Sequence, residues 1–437
     1  MIIHVVKAGE TISSIADLYG ISSARLIQDN GLLSQDKLVP GQTIVVVYPE
    51  QVYIVKEGDT LASIATENSI SLLQLLQNNP FLSDRQYIFP GEELVIRYND
   101  KKGEMTINGF ASSFIDTKVL IKTLPFLTYL TIWDNYITEN ADVIGVDVSE
   151  IIQLAKVYGV APMMLITAYT PQGELSQKAA YNIIYTEELQ DRFINNLLII
   201  LNEKGYSGVN IAYHFLSAEN IQAYSIFTSK VAVAVRDAGY SFFITIPPRV
   251  SQGNNMMAYQ KLDYSKFGQN ANEVLFMPFY FGYSYVPPLP VMSITETKDL
   301  LEYAITIIPP EKVSIGISAI GYDWSLPYVP GVTKANSLSV TSAIQLADVK
   351  SAAIQFDEVS QTPFYNYSEV VLPINHIVWF TDARSIYGMA ELVPSNGLKG
   401  IGVWNIMYYN SQLWLIINSQ YDILKSPDYN IQSVLYV

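Results

Sequence analysis

The chain has 437 residues, with 26 Lys and Arg against 41 Asp and Glu, a net charge of −15 at pH 7. That balance excludes a nucleic-acid binder, whose affinity comes from neutralising phosphates with basic side chains. Cys is absent, which excludes disulfides and thiolate chemistry, and the three His (His4, His214, His376) are too scattered to suggest a metal site, so neither metal nor cofactor is expected. Charged residues make up only 15% of the chain, against a usual figure of about 25%, while Tyr reaches 31. Such a surface fits a large core, or extensive contact with carbohydrate or with further copies of the chain. No apolar run reaches the roughly 18 residues of a membrane span. No basic-then-apolar leader precedes the first folded segment, so neither a span nor a secretory signal is expected.

The first hundred residues are an internal repeat. HVVKAGETISSIADLYGIS from His4 matches YIVKEGDTLASIATENSIS from Tyr53 at an offset of 49, and VPGQTIVV matches FPGEELVI at an offset of 50. Paired positions include Gly9/Gly58, Thr11/Thr60, Ser14/Ser63, Ile15/Ile64, Asn30/Asn79 and Pro40/Pro90. Each copy reads strand, turn, helix, helix, strand, with Thr11 or Thr60 as N-cap and a Pro-Gly turn before the last strand. Both copies, residues 1–48 and 51–98, resemble the LysM domain. The resemblance implies binding of the N-acetylglucosamine backbone of peptidoglycan or chitin. The groove would lie between Gly9-Glu10-Thr11 and Leu38 to Pro40, and between Gly58-Asp59-Thr60 and Ile88 to Pro90. Leu38 or Ile88 would pack on the sugar. The glycines and prolines admit a second reading, as backbone determinants alone.

After a polar linker (YNDKKG), residues 104–437 alternate strand and helix. Strands are predicted at 105–114, 128–137, 161–169, 209–215, 242–248, 273–281, 312–320 and 400–408. Helical patterns lie between them, including 148–157, 186–201 and 221–238. Eight such strands predict a closed parallel (β/α)8 barrel in the α/β class. About 80 residues separate the last two strands, too many for one crossover helix; a small α+β insertion is expected at about 325–395.

The fourth strand reads Gly208, Val209, Asn210, Ile211, Ala212, Tyr213, His214. This resembles the D-x-x-D-x-D-x-E strand of glycoside hydrolase family 18, whose spore cortex-lytic members commonly read GVNIDFE here. The sixth strand, from Met277 through Pro288, resembles the family's LMTYEWGYTYGPP segment. GYDWSLPY (321–328) also matches, and Trp404 stands where the family's indole floors the sugar subsite. In active relatives the motif Glu protonates the leaving oxygen, the preceding Asp holds the acetamido group whose carbonyl attacks the anomeric carbon, and a Tyr hydroxyl stabilises the oxazolinium, an exception to the two-carboxylate scheme. Here those positions hold His214, Ala212 and Phe279, and Tyr280 stands where a further acid would follow. Trp133, Asp134, Tyr322, Asp323 and Trp324 are weaker pocket candidates.

From these replacements the chain is expected to be a non-catalytic, glycan-binding or structural protein of the bacterial spore envelope. It would be anchored by its LysM copies, with self-association or spore coat proteins as further partners. Two alternatives stand beside this: an N-acetylglucosaminidase of spore cortex peptidoglycan with an unconventional acid such as His214, and a lectin holding N-acetylglucosamine oligomers against Trp404.

Overall fold

The computed structural model describes residues 1–437 except 34–36, 84, 86, 100, 169–175, 213–215, 248, 251–256, 259–260, 278–286, 370–373 and 427–437. Each half of the repeat is a two-stranded antiparallel sheet covered by two helices. In the first, Ile2–Val5 pairs with Thr43–Val46, and helices Ile12–Tyr19 and Ser23–Asn30 close over it. In the second, Gln51–Ile54 pairs with Glu93–Arg97 under Leu61–Glu67 and Leu72–Asn78. The shared positions serve the same purpose in both. Thr11 and Thr60 form reciprocal capping boxes with Ser14 and Ser63. Asn30 is buried and bonds through its amide to both Val45 N and Val45 O, and Asn79 does the same at Val95. A side-chain amide thus stitches the second helix to the last strand where no backbone partner is available.

The eight barrel strands are Glu104–Ala111, Tyr129–Ile132, Ala161–Thr167, Gly208–Ala212, Ser241–Ile246, Glu273–Phe276, Val313–Ser318 and Gly400–Trp404. All neighbours are parallel, the eighth pairs with the first, and the third pairs with the fourth, so the sheet closes. The predicted helices fall at Ser149–Val157, Glu187–Lys204 and Ile221–Asp237. Along each strand alternate residues fill the barrel interior. Asn108 accepts from Thr131, and Asn210 from Thr245, and above them Phe110, Leu165, Ala212, Leu275 and Trp404 form an apolar layer. At the opposite end Glu273 is 1% exposed, with Lys399 Nζ 3.3 Å from its Oε2. The Lys399 ammonium also lies over the Tyr129 and Phe243 rings.

Among the described residues, the insertion is a five-stranded antiparallel sheet with one helix. Its strands run Asn336–Ser339, Ile320–Leu326, Asn375–Trp379, Thr362–Ser368 and Gln355–Asp357 in spatial order, with helix Val340–Val349 alongside. It therefore spans about 320–379 rather than 325–395. Ala383–Asn396, predicted within it, returns to the barrel as the crossover helix before the eighth strand.

The repeat is welded to the barrel rather than tethered. Gln412 donates to Thr43 O and Asn30 Oδ1, and Asn418 donates to Gln77 O and Asn78 Oδ1, both from the last barrel helix, Ser411–Gln420. Arg25 pairs with Asp29 on its own helix at 2.7 Å and reaches across to the second module to donate to Tyr98 Oη. Ile354 of the insertion donates to Pro40 O, and a Cβ added at Gly41 would stand 1.9 Å from Ile354 O.

Candidate active site and glycan-contact surfaces

Catalytic groups of (β/α)8 barrels gather where the strands end. At that end Trp404 is 6% exposed, its ring 4.6 Å from Trp133 and 5.8 Å, edge-on, from Phe110. Ile320 belongs to the same cluster, and Tyr322 packs against it. Burial pushes the Tyr322 phenol up to about 12, so it meets any ligand as a neutral hydroxyl. Ala212, where the resemblance places a carboxylate, is fully buried in the same cluster as Trp404. His214, Phe279 and Tyr280 lie outside the described residues.

Among the described residues a carboxylate does stand at the mouth. Asp134, immediately after Trp133, accepts two contacts from Ser112 Oγ at 2.8 and 2.9 Å and one from Ser113 N. Asp323 and Trp324 belong to the insertion instead. Asp323 binds His376 Nδ1 at 2.9 Å and Tyr367 Oη at 2.8 Å, and Trp324 is buried against Val291, Ala335 and Trp379.

The two modules differ at the surfaces expected to meet glycan. Gly9-Glu10-Thr11 and Gly58-Asp59-Thr60 are matching loops. Glu10 accepts from Lys7 N and contacts His4 Nε2; Asp59 accepts from Lys56 N and Tyr53 Oη. The backbone bond is the largest cause holding the Glu10 carboxyl below its usual range. Opposite these loops the modules diverge. In the first, Leu38 and Val39 are buried, Leu38 in the module's own core and Val39 against the insertion, and the Pro40-Gly41 turn meets Ile354. In the second, Ile88 is half-buried, Pro90 is exposed, and Tyr87 and Phe89 stand 72% and 59% exposed. Tyr87 and Phe89 escaped the sequence reading. They differ from their counterparts in the repeat, and only that difference marked them.

A fully parallel eight-stranded barrel with an α+β insertion between strands seven and eight and an aromatic mouth defines a glycosidase-type scaffold. Residues 162–408 match the family model of glycosyl hydrolases family 18, and residues 4–47 and 53–97 match the LysM domain. The chain belongs to glycosyl hydrolases family 18 and carries two LysM domains ahead of its barrel. It is similar over 97% of its length to the cortical fragment-lytic enzymes of Bacillus subtilis and Bacillus anthracis, at 32% identity in each case, covering 99% of those proteins. The crystal structure of the Bacillus cereus spore cortex-lytic enzyme SleL superposes with a TM-score of 0.77 at 27% identity, over 97% of this chain and 99% of that one.

These relatives overturn the expectation of a non-catalytic protein. That expectation rested on three side chains at two strand ends. The similarity to enzymes that cut cortical fragments runs the whole length of the chain, through both LysM domains, barrel and insertion.

Proposed function

We propose that this chain is a glycoside hydrolase acting on N-acetylglucosamine-containing fragments of the bacterial spore cortex, with its proton donor other than the family's carboxylate. The observation that supports it is the end-to-end similarity to cortical fragment-lytic enzymes. Trp404 and Trp133 offer the apolar face on which a pyranose ring stacks. The acetamido carbonyl of the bound sugar attacks its own anomeric carbon, as the family's chemistry implies, while an imidazolium at His214 protonates the departing oxygen. Asp134, anchored by Ser112 and Ser113, supplies negative charge beside the aromatic floor as the ring becomes positive.

In this reading the open second LysM groove, from Gly58-Asp59-Thr60 to Ile88-Pro90 with Tyr87 and Phe89 at its edge, is the principal glycan anchor. In the first, Gly9-Glu10-Thr11 is left to assist, because Leu38 is buried and the Pro40 carbonyl is taken by Ile354 N. The cortex is the site of action.

The test is turnover of purified cortical muropeptide fragments, followed by chromatography of the products. Wild type is expected to release shorter N-acetylglucosamine-ended products. His214→Ala should slow release by roughly 10²–10⁴-fold, the usual worth of one general acid. Fragments left intact by the wild-type chain would end the proposal, and undiminished turnover in His214→Ala would remove His214 from it.

A further inference from the structure

A cavity of about 440 Å³ lies where three parts of the chain meet: the first LysM module, the insertion helix Val340–Val349, and the segment that follows the eighth strand. Its volume is within the roughly 300–1,000 Å³ of small-molecule sites. Leu32 and Val39 come from the LysM side, Thr341, Ile344 and Gln345 from the helix, and Tyr408 from the barrel rim. Among the described residues the wall carries no net charge: its ionic side chains, Lys37 and Asp348, stand across the cleft as an ion pair at 3.4 Å. The other lining side chains are amides, hydroxyls and aliphatics, with the Tyr408 ring 61% exposed.

That composition selects against ionic ligands and suits a neutral polyol. Amides and hydroxyls both donate and accept, which matches sugar hydroxyls and an acetamido group. An exposed Tyr face matches the apolar face of a pyranose, and Ile344 with Leu32 would receive an acetyl methyl. The cleft also stands at the barrel's mouth end. Ala319 in its wall follows Ser318, which pairs with Trp404, and Tyr408 lies four residues beyond Trp404. From this arrangement we infer that the cleft between the first LysM module and the insertion is a second saccharide subsite. It takes N-acetylated hexosamine units of a glycan held at the same end of the barrel. The ligand class follows the hydrolase reading; the place follows from the cleft alone. The first module, whose Pro40 turn is sealed, thus contributes its other edge to the substrate surface.

The test uses the full chain and the N-acetylglucosamine tetramer as probe, with hydrogen exchange and titration calorimetry read side by side. Binding should protect amides in 339–349 and 406–412. Tyr408→Ala with Gln345→Ala should weaken affinity about tenfold and abolish protection in 339–349. Thr341→Trp places an indole in the cleft from an exposed position and should do the same with an unchanged melting temperature. Wild-type binding without protection of 339–349, equal affinity in the variants, or no binding would each overturn the subsite. Protection without any cleavage of cortical fragments would sink the hydrolase reading and leave the subsite standing. Cleavage without protection would do the reverse.

Discussion

Glu273 opens the sixth strand at the closed end of the barrel, with both carboxyl oxygens out of water and the ammonium of Lys399 beside them. Burial raises its affinity for a proton, and Lys399 opposes that only in part. The native chain therefore holds this proton more tightly than the unfolded chain does. The carboxyl's contribution is fully present below the unfolded value, about 4.3, and is lost as pH rises through the native one. Gln at this position keeps the shape of the protonated acid and does not titrate. The melting temperature of Glu273→Gln relative to wild type should climb between about pH 4 and about pH 8. A difference that stays constant across that range would show that Glu273 does not titrate differently on folding. Nothing in the sequence marked Glu273, because the apolar run that predicts the strand says nothing about which end is sealed. Asn30 and Asn79 were legible through their recurrence, although their bonds to Val45 and Val95 were not.

The turns Pro40-Gly41 and Pro90-Gly91 share one backbone, with i to i+3 bonds from Gln42 N to Val39 O and from Glu92 N to Phe89 O, and φ of +87° and +90° at the glycines. Pro at the second position and Gly at the third are what such a turn requires. The periodicity of the sequence reports this backbone but not what packs against it. Ala at Gly91 meets nothing within 4 Å and should cost only the left-handed strain, roughly 1–2 kcal/mol. Ala at Gly41 adds a collision with the Ile354 carbonyl. We expect Gly41→Ala to lose more stability in urea than Gly91→Ala and to become sensitive to protease near Ile354; equal losses would mean that the turn is not braced there. The eight strands were readable from alternating strand and helix patterns, and the fourth was the most specific. The insertion's edges were misplaced because Ile320 begins a new strand two residues after Ser318 with no turn signal between them.

At the level of the molecule, two copies of one module occupy unequal settings. Retention on cortex sacculi should therefore depend on the second. Tyr87→Ala with Phe89→Ala should weaken co-sedimentation about tenfold, whereas Leu33→Ala, at an exposed position on the first module, should leave it near the wild-type level. Loss of retention only with the Leu33 change would reverse the assignment. The function was legible as a sugar-processing scaffold from the LysM repeat and the fourth strand. Its class was misjudged because three side chains were weighed as the whole reaction, whereas the likeness to cortical fragment-lytic enzymes runs from end to end of the chain.

The last barrel helix carries Gln412 and Asn418, whose amides bond across to both repeats. Small wall-binding repeats are commonly treated as interchangeable cassettes, to be clipped from one enzyme and fused to another. Here excision would strip this helix of its partners and open a flank of the cleft between the first module and the insertion. A shortened chain would thus carry a reshaped barrel flank, and would not simply be the same barrel without its repeats.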